Sequence, residues 1–421
     1  GSEMCIRDRD YLRDNRDENM GFLSKTLLPD GTEIPGTNFD YNYLQHRKVD
    51  VVSSALDFIL PFEKYKITAG AKVSFTNTRN GINYDTSDPT LVQDDYFRYK
   101  EQIYALYADY SREFSERFSM QLGLRMEHTR TTGISEAKDT EDKHDYTRLF
   151  PTVYLLYSPT DGHALNFSFS NRISRPSQNM VNPFPFYQNK YTYACGREDL
   201  KPSYTYNAEL GYTLKNNFNV SAYYSYSDDV FFQVVDLDAE TNVTSFLWEN
   251  FMKTHAFGLN NSYTFRTKWL QAYAQHGVSY RRTTSSAVTT SPEEKGWAYD
   301  ASLRNTFFFN EKKTLLATLS GSYSSRQYQG IYLMSPTYSV SAGMLYRLLD
   351  NKLNLSLNVN NLFVSHSKLE TMSNGLKIIA DNQFSFTSFR IGVSYTFGGD
   401  IRSKGQPVSY THLTLPTKLE V

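Results

Sequence analysis

Residues 352–359 read Lys-Leu-Asn-Leu-Ser-Leu-Asn-Val, apolar at every second position and polar between. Successive side chains of a strand point to opposite faces, so this segment makes a ribbon with one apolar and one polar face. The pattern recurs along the chain. In 117–127, Phe118, Met120, Leu122, Leu124 and Met126 alternate with Arg117, Ser119, Gln121, Gly123, Arg125 and Glu127. The windows 204–215, 217–226 and 388–397 repeat it. Less regular copies occupy 46–60, 65–77, 97–114, 147–158, 163–174, 256–266, 268–283, 297–309, 313–325 and 336–348. Roughly fifteen strands are predicted, at about 25 residues per strand plus connector, too long a period for a compact sandwich.

The polar face decides what kind of all-β protein this is. A soluble propeller or β-helix needs a dense aliphatic interior. Here one face carries Asn, Ser, Thr and mid-strand charges such as Arg125, Glu127, Glu209 and Arg390. A water-filled lumen solvates those groups and a packed core does not. The other face, with Leu122, Leu210, Leu355 and Val393, suits hydrocarbon. Alternation over about ten residues per strand, with aromatic girdles, is the signature of a transmembrane antiparallel β-barrel. No apolar run approaches the roughly 18 residues of a spanning helix. A closed sheet is then the remaining way to satisfy the backbone in lipid.

The connectors support this reading. Asp161-Gly162, Asn216-Asn217, Asn310-Glu311-Lys312 and Asp350-Asn351 are short polar turns of the kind found on the periplasmic side. The longer segments 78–95, 132–145, 176–202, 284–296 and 366–384 are expected to be extracellular loops.

Composition adds little that conflicts. The chain has 421 residues, a formal net charge of −1, and 33 Tyr and 28 Phe. No nucleic-acid surface is implied, and the aromatic load fits two interfacial belts. The two cysteines, Cys5 and Cys195, form no zinc spacing, and Cys195 is expected as a free thiol. The eight histidines show no ligand spacing, and neither a Gly-x-Ser-x-Gly elbow nor a phosphate loop occurs. No catalytic residue, metal ligand or cofactor is therefore assigned.

The candidate chemistry is contact chemistry. Arg125 and Glu127 are neighbours on the polar face, able to join a charge ladder across strands. Arg172 and Arg175 precede Pro176, which ends a strand because proline cannot donate to the ladder. They are candidates for a substrate or plug contact, or simply pore-facing. Tyr187, Tyr191 and Tyr193 lie in the proline-rich connector 176–202, where they either stack on a ligand or pack the loop on itself. Trp248, between Phe246 and Phe251, suits sugar or siderophore contact, interfacial anchoring or strand packing.

Longer motifs carry a family resemblance. The run Asn166–Pro176, then Asn182-Pro183-Phe184, Tyr191-Thr-Tyr193 and Leu200-Lys201-Pro202 resembles a block in TonB-dependent outer-membrane receptors, of the outer-membrane β-barrel family. Gly123-Leu-Arg125-Met-Glu127, Asn361-Leu362-Phe363 and the aromatic end Phe397 resemble further motifs, in family order, over about 40–400. Asn171 and Gly196-Arg197-Glu198-Asp199 depart from the family pattern. The resemblance implies a receptor in the outer membrane of a Gram-negative bacterium, with a 22-stranded barrel and an N-terminal plug. About 14–16 of those strands are expected here, with no plug, as the barrel portion at 10–400. It also implies uptake of a siderophore, glycan, cobalamin or peptide. The implied partners are the lipid bilayer, the TonB complex acting through the plug, the barrel-assembly machinery and a surface lipoprotein. A passive porin-like channel and an outer-membrane hydrolase are the alternatives. The stretches 1–9 and 408–417 resemble translated sequencing adapter, so 1–9 and most of the tail 401–421, from about 407, are read as non-native flanks, and no signal peptide is visible.

Overall fold

The computed structural model describes residues 4–35, 39–86, 94–382 and 386–397. The tail 401–421, read above as mostly a flank, lies outside the described residues. In chain order the strands begin with β1 (Met4–Ser24), β2 (Phe39–Pro61), β3 (Tyr65–Thr86), β4 (Asp95–Ser115), β5 (Phe118–Ser135), β6 (Thr140–Tyr157) and β7 (His163–Ser174). A helix, α1 (Gln178–Val181), and two short strands, β8 (Phe186–Asn189) and β9 (Thr192–Cys195), follow. Then come β10 (Ser203–Leu214), β11 (Phe218–Asp238), β12 (Val243–Arg266), β13 (Leu270–Ser285), β14 (Glu293–Phe308) and β15 (Leu315–Ser324). The last are β16 (Gln327–Gln329), β17 (Tyr332–Met334), β18 (Thr337–Leu348), β19 (Leu353–Val364), β20 (Ser367–Ser373), β21 (Leu376–Asn382) and β22 (Ser388–Tyr395).

Sixteen of these strands form one antiparallel meander, each beside its successor, from β1 to β22. That agrees with the 14–16 read from the alternating windows. Strands β16, β17, β20 and β21 make a separate four-stranded sheet, and β8 and β9 form a hairpin attached to β12.

Register carries the two faces from strand to strand. Leu122 lies opposite Tyr110 and Val153, and Leu355 opposite Tyr346 and Val393. This apolar face is exposed, as lipid contact requires; Leu122, Leu210, Leu355 and Val393 are all open. On the inner face Asn358 faces Arg390, and Glu209 lies between Ser168 and Tyr223.

The wall is taller than a bilayer requires. A spanning strand needs about 9–11 residues, whereas β12 has 24, and at roughly 3.4 Å per residue it is about 80 Å long. The expected loops are thus corrected. Residues 78–86, 132–135 and 140–145 are ladder, as are 284–285, 293–296 and most of 366–384. Above the membrane both faces meet water or packed protein, so no alternation is needed and none marks these segments. The same reason hid 13–24 of β1, 227–238 and 243–255, whereas residues 7–12 of β1 pair with 51–56 at membrane height and carry charges there instead. The short turns fall where expected, with left-handed backbone at Lys215, Asn216, Gly162, Asp350 and Asn351. The outward side of β1 differs from its neighbours: Arg7 lies opposite Leu56, and Arg9 opposite Ser54.

Candidate functional site

The connector between β7 and β10 does not project away as a loop; it folds into the mouth of the barrel. Pro176 stops β7. The segment then buries Val181, Phe184 and Leu200 against Phe39, Tyr41, Tyr43, Ile82 and Phe97, the inward side chains at the outer ends of β2, β3 and β4. Burying each apolar side chain is worth about 1.5–3 kcal/mol.

Asn182-Pro183-Phe184 is the pivot. The Asn182 carboxamide oxygen accepts the Phe184 N–H at 3.2 Å, and its carbonyl accepts the Gly196 N–H at 2.9 Å. A Cβ on Gly196 would stand 2.2 Å from that carbonyl oxygen, so only glycine fits. The Pro183 carbonyl accepts Lys138 Nζ at 3.3 Å and the Cys195 thiol at 3.1 Å. The Pro185 carbonyl accepts the hydroxyls of Tyr41 and Tyr84, each at 3.3 Å.

The far side of the connector is pinned to β12. Strand β9 pairs with it in parallel, Thr192 to Thr244 through Cys195 to Leu247. Arg197 bonds Glu249 at 2.8 Å and Asp199 at 2.6 Å, and these acids hold its guanidinium above its ordinary range. Asn250 exchanges hydrogen bonds with the Lys201 backbone at 2.8 and 2.9 Å. One polypeptide bridge therefore spans the lumen from the β2–β4 wall to the β12 wall.

Beneath this bridge lies a charged network. Arg125 donates to Glu127 at 2.5 Å, and Arg175 donates to the other oxygen of Glu127, also at 2.5 Å. Arg175 also reaches Thr129 at 3.3 Å and lies 3.7 Å from Glu101. Glu127 is only 9% exposed. The Arg125 guanidinium sits 5.5 Å from the Tyr107 ring centroid, and the Tyr107 hydroxyl bonds Asp57. A Cβ on Gly70 would lie 2.6 Å from both Asp57 and Tyr107, so its absence makes room for that contact. Charge-assisted bonds of this kind are the stronger ones. The network ties β2, β4 and β5 to the base of the connector.

The aromatic candidates divide. Tyr187 packs against Tyr41 at 5.4 Å, Phe39 at 6.1 Å and Tyr193 at 5.3 Å between centroids. Tyr191 stays open, at 47% exposure, while its carbonyl accepts the Thr244 N–H. Trp248 packs on Phe231 and Phe232 beside the connector, whereas Phe246 and Phe251 join a second cluster with Val234, Val235, Ile331 and Tyr332. That second cluster locks the four-stranded sheet to the β11–β12 extension; the Tyr332 hydroxyl donates to the Gln233 carbonyl at 2.8 Å.

Other candidates lie apart. Arg172 is exposed on β7, facing Thr205 of β10, and is not part of the Arg125–Glu127–Arg175 network. Asn361 takes a left-handed backbone, φ 55°, at a bulge between β18 and β19, where the Ser341 hydroxyl accepts its N–H at 3.1 Å. Asparagine tolerates that conformation better than most residues. The bulge re-aims the strand, leaving Leu362 and Phe363 exposed. Phe397 is exposed just past β22, 4.6 Å from the Tyr395 ring.

Sequence reasoning missed Glu101, Tyr41, Tyr43 and Tyr84. The run Phe39-x-Tyr41-x-Tyr43 has period two and was the available signal. Among the described residues no group of three or more His, Cys, Asp or Glu side chains is placed to hold a metal ion.

The fold has clear relatives. The ferripyoverdine receptor of the outer membrane of Pseudomonas aeruginosa is 16% identical, with a TM-score of 0.60, covering 93% of this chain and 54% of that one. The ferric yersiniabactin uptake receptor FyuA from Yersinia pestis is 15% identical, TM-score 0.59, covering 92% and 59%. The ferric citrate transporter FecA is 13% identical, TM-score 0.58, covering 92% and 62%. The chain thus spans between about half and two thirds of the length of these structures. At such identities the likeness is one of fold. No curated protein matches the sequence. The outer membrane protein beta-barrel family matches residues 7–395, nearly the whole described wall. With its alternating faces, its sixteen-strand meander and that match, the chain belongs to the outer membrane protein β-barrel family, in the outer membrane of a Gram-negative bacterium.

Proposed function

We propose that this chain forms the wall and external mouth of a receptor that imports a scarce nutrient: a siderophore, glycan, cobalamin or peptide. Transport is driven by a TonB complex acting on an N-terminal plug. The observation that carries the reading is the mouth itself. A wall far taller than a bilayer, crossed by a docked connector and braced by a second sheet, is a chamber built for recognition. Open Tyr191 and the rim of the aromatic cluster offer stacking surface, and half-buried Arg125, braced by Glu127 and Arg175, faces the passage below. No covalent chemistry is required. The similar folds named for ferric siderophores make that class the first to test. Phe397 serves as the aromatic end read by the barrel-assembly machinery, and a surface lipoprotein is a candidate lid. Residues 1–9 are proposed as a non-native flank; outward-facing Arg7 and Arg9, beside Leu56 and Ser54, support this.

The test is uptake by cells expressing the complete gene product, with labelled ferric siderophores, cobalamin, oligosaccharides and peptides. One class is expected to enter, and a protonophore is expected to abolish it. Uptake unaffected by the protonophore, together with free ion conductance in planar bilayers, would instead establish a passive channel.

A further inference from the structure

The outward face of the wall holds a row of cations. Lys48 on β2 lies directly opposite Arg79 on β3, and Arg79 directly opposite Arg98 on β4. Their neighbours on the other face place the row outside. Phe97, Asn80 and Arg47 point inward, Phe97 against Phe184 of the connector and Asn80 to Gln45 at 2.9 Å. Lys100 extends the row on β4 and is exposed.

Like charges directly opposite one another on a sheet are destabilising. Elsewhere on this face the cost is removed by an acid. Arg13 bonds Asp50 at 2.6 Å, Arg130 bonds Asp145 at 2.7 Å, and Lys143 bonds Glu141 at 2.9 Å. Among the described residues no ion pair joins Lys48, Arg79 or Arg98 to an acid, although the Asp50 carboxylate lies within electrostatic reach of Lys48. Asp50, the acid nearest Lys48 on the strand, is occupied by Arg13, and the Nε of Arg98 is buried without a hydrogen-bond partner.

The height of the row is informative. On β2 and β3 the apolar band ends at Val52 and Phe75, which lie opposite each other. Lys48 and Arg79 stand four residues further along their strands. Along tilted strands that is about 10 Å higher, the level of lipid headgroups on the extracellular side. At that height cations on three successive strands lie side by side, just above the apolar band that acyl chains would cover.

We infer that Lys48, Arg79 and Arg98 form a binding site for the phosphate groups of an anionic lipid seated against the outer wall. This holds whatever cargo the lumen takes.

The experiment is a native mass spectrometry titration of the full chain, extracted from outer membranes into neutral detergent. The probes are a doubly phosphorylated glycolipid, the same lipid dephosphorylated, and inorganic phosphate. A cation near an anionic lipid surface contributes about a fivefold change in binding. The variant K48Q/R79Q/R98Q is therefore expected to bind the phosphorylated lipid roughly a hundredfold more weakly. Dephosphorylated lipid is expected to bind the wild type no better than the variant. The single change R79Q, expected to lose about fivefold, is read if the triple variant does not fold. Equal binding by wild type and R79Q overturns the inference. So does inorganic phosphate displacing the lipid at equal concentration, since the lipid would then add nothing.

Discussion

Replacing Arg175 with methionine isolates the coupling between wall and connector. Met keeps most of the stem's volume and removes the charge. Glu127 would retain Arg125, but Glu101, with a side chain 18% exposed, would lose Arg175, its cation at 3.7 Å. Breaking a buried pair costs about 3–5 kcal/mol, and the surviving Arg125 bond puts this case near 3 kcal/mol. Undocking the connector admits water to both carboxylates, so the penalty falls on the docked state. Opening should then become about a hundredfold more frequent. The Lys201 and Thr244 amides, which cross between connector and β12 to the Asn250 carboxamide oxygen at 2.8 Å and the Tyr191 carbonyl at 2.7 Å, report it directly. Their hydrogen exchange, measured by mass spectrometry in the native-like micelle, should accelerate by that factor while β13–β15 amides do not change. Neutralising the acids in E101Q/E127Q/R175M should return exchange to within about tenfold of wild type. Unchanged exchange in R175M, or equal acceleration in the neutralised variant, would refute the idea that these charges hold the connector.

Three other outcomes follow from the same structure. Burial pushes the Cys195 thiol up, so its thiolate fraction at neutral pH is below that of an ordinary cysteine; alkylation should be slow in the wild type, rise with pH, and speed up in F184A, as judged by mass shift with time. N361A should lower stability by about 1 kcal/mol through left-handed strain, and N361G should not, in urea unfolding. Leu124→Arg, on the lipid face, should cost about 2–4 kcal/mol, whereas Ser356→Arg, on the lumen face, should change little; reversed sensitivities would invert the assignment of faces.

Legibility in the sequence tracked the solvent. Where a strand separates hydrocarbon from water, as Leu353–Val364 does, alternation is enforced and was readable. Where the same ladder rises above the membrane, as at 78–86 or 243–255, both faces are wet or packed, and the pattern disappears. The three-residue strands Gln327–Gln329 and Tyr332–Met334 exist only because the β11–β12 extension and Leu369 pack against them, which no local spacing encodes. For the site, Arg125 and Glu127 were readable because they are two residues apart on one ribbon. Arg175 meets Glu127 across 48 positions, and Glu101 joins only through the fold. Asn182-Pro183-Phe184 stood out as a motif, but its work, turning the connector inward, depends on carbonyls whose partners lie up to 144 residues away.

The connector's moorings also set an order of construction. Tyr41 and Tyr84, which grip Pro185, precede it in the chain, while Thr244–Leu247, its parallel partner, follow it by about fifty residues. The segment is thus gripped from both flanks of the opening. The keystone therefore seats only after the staves on both flanks stand, and a barrel interrupted before β12 is left with its gateway unbarred.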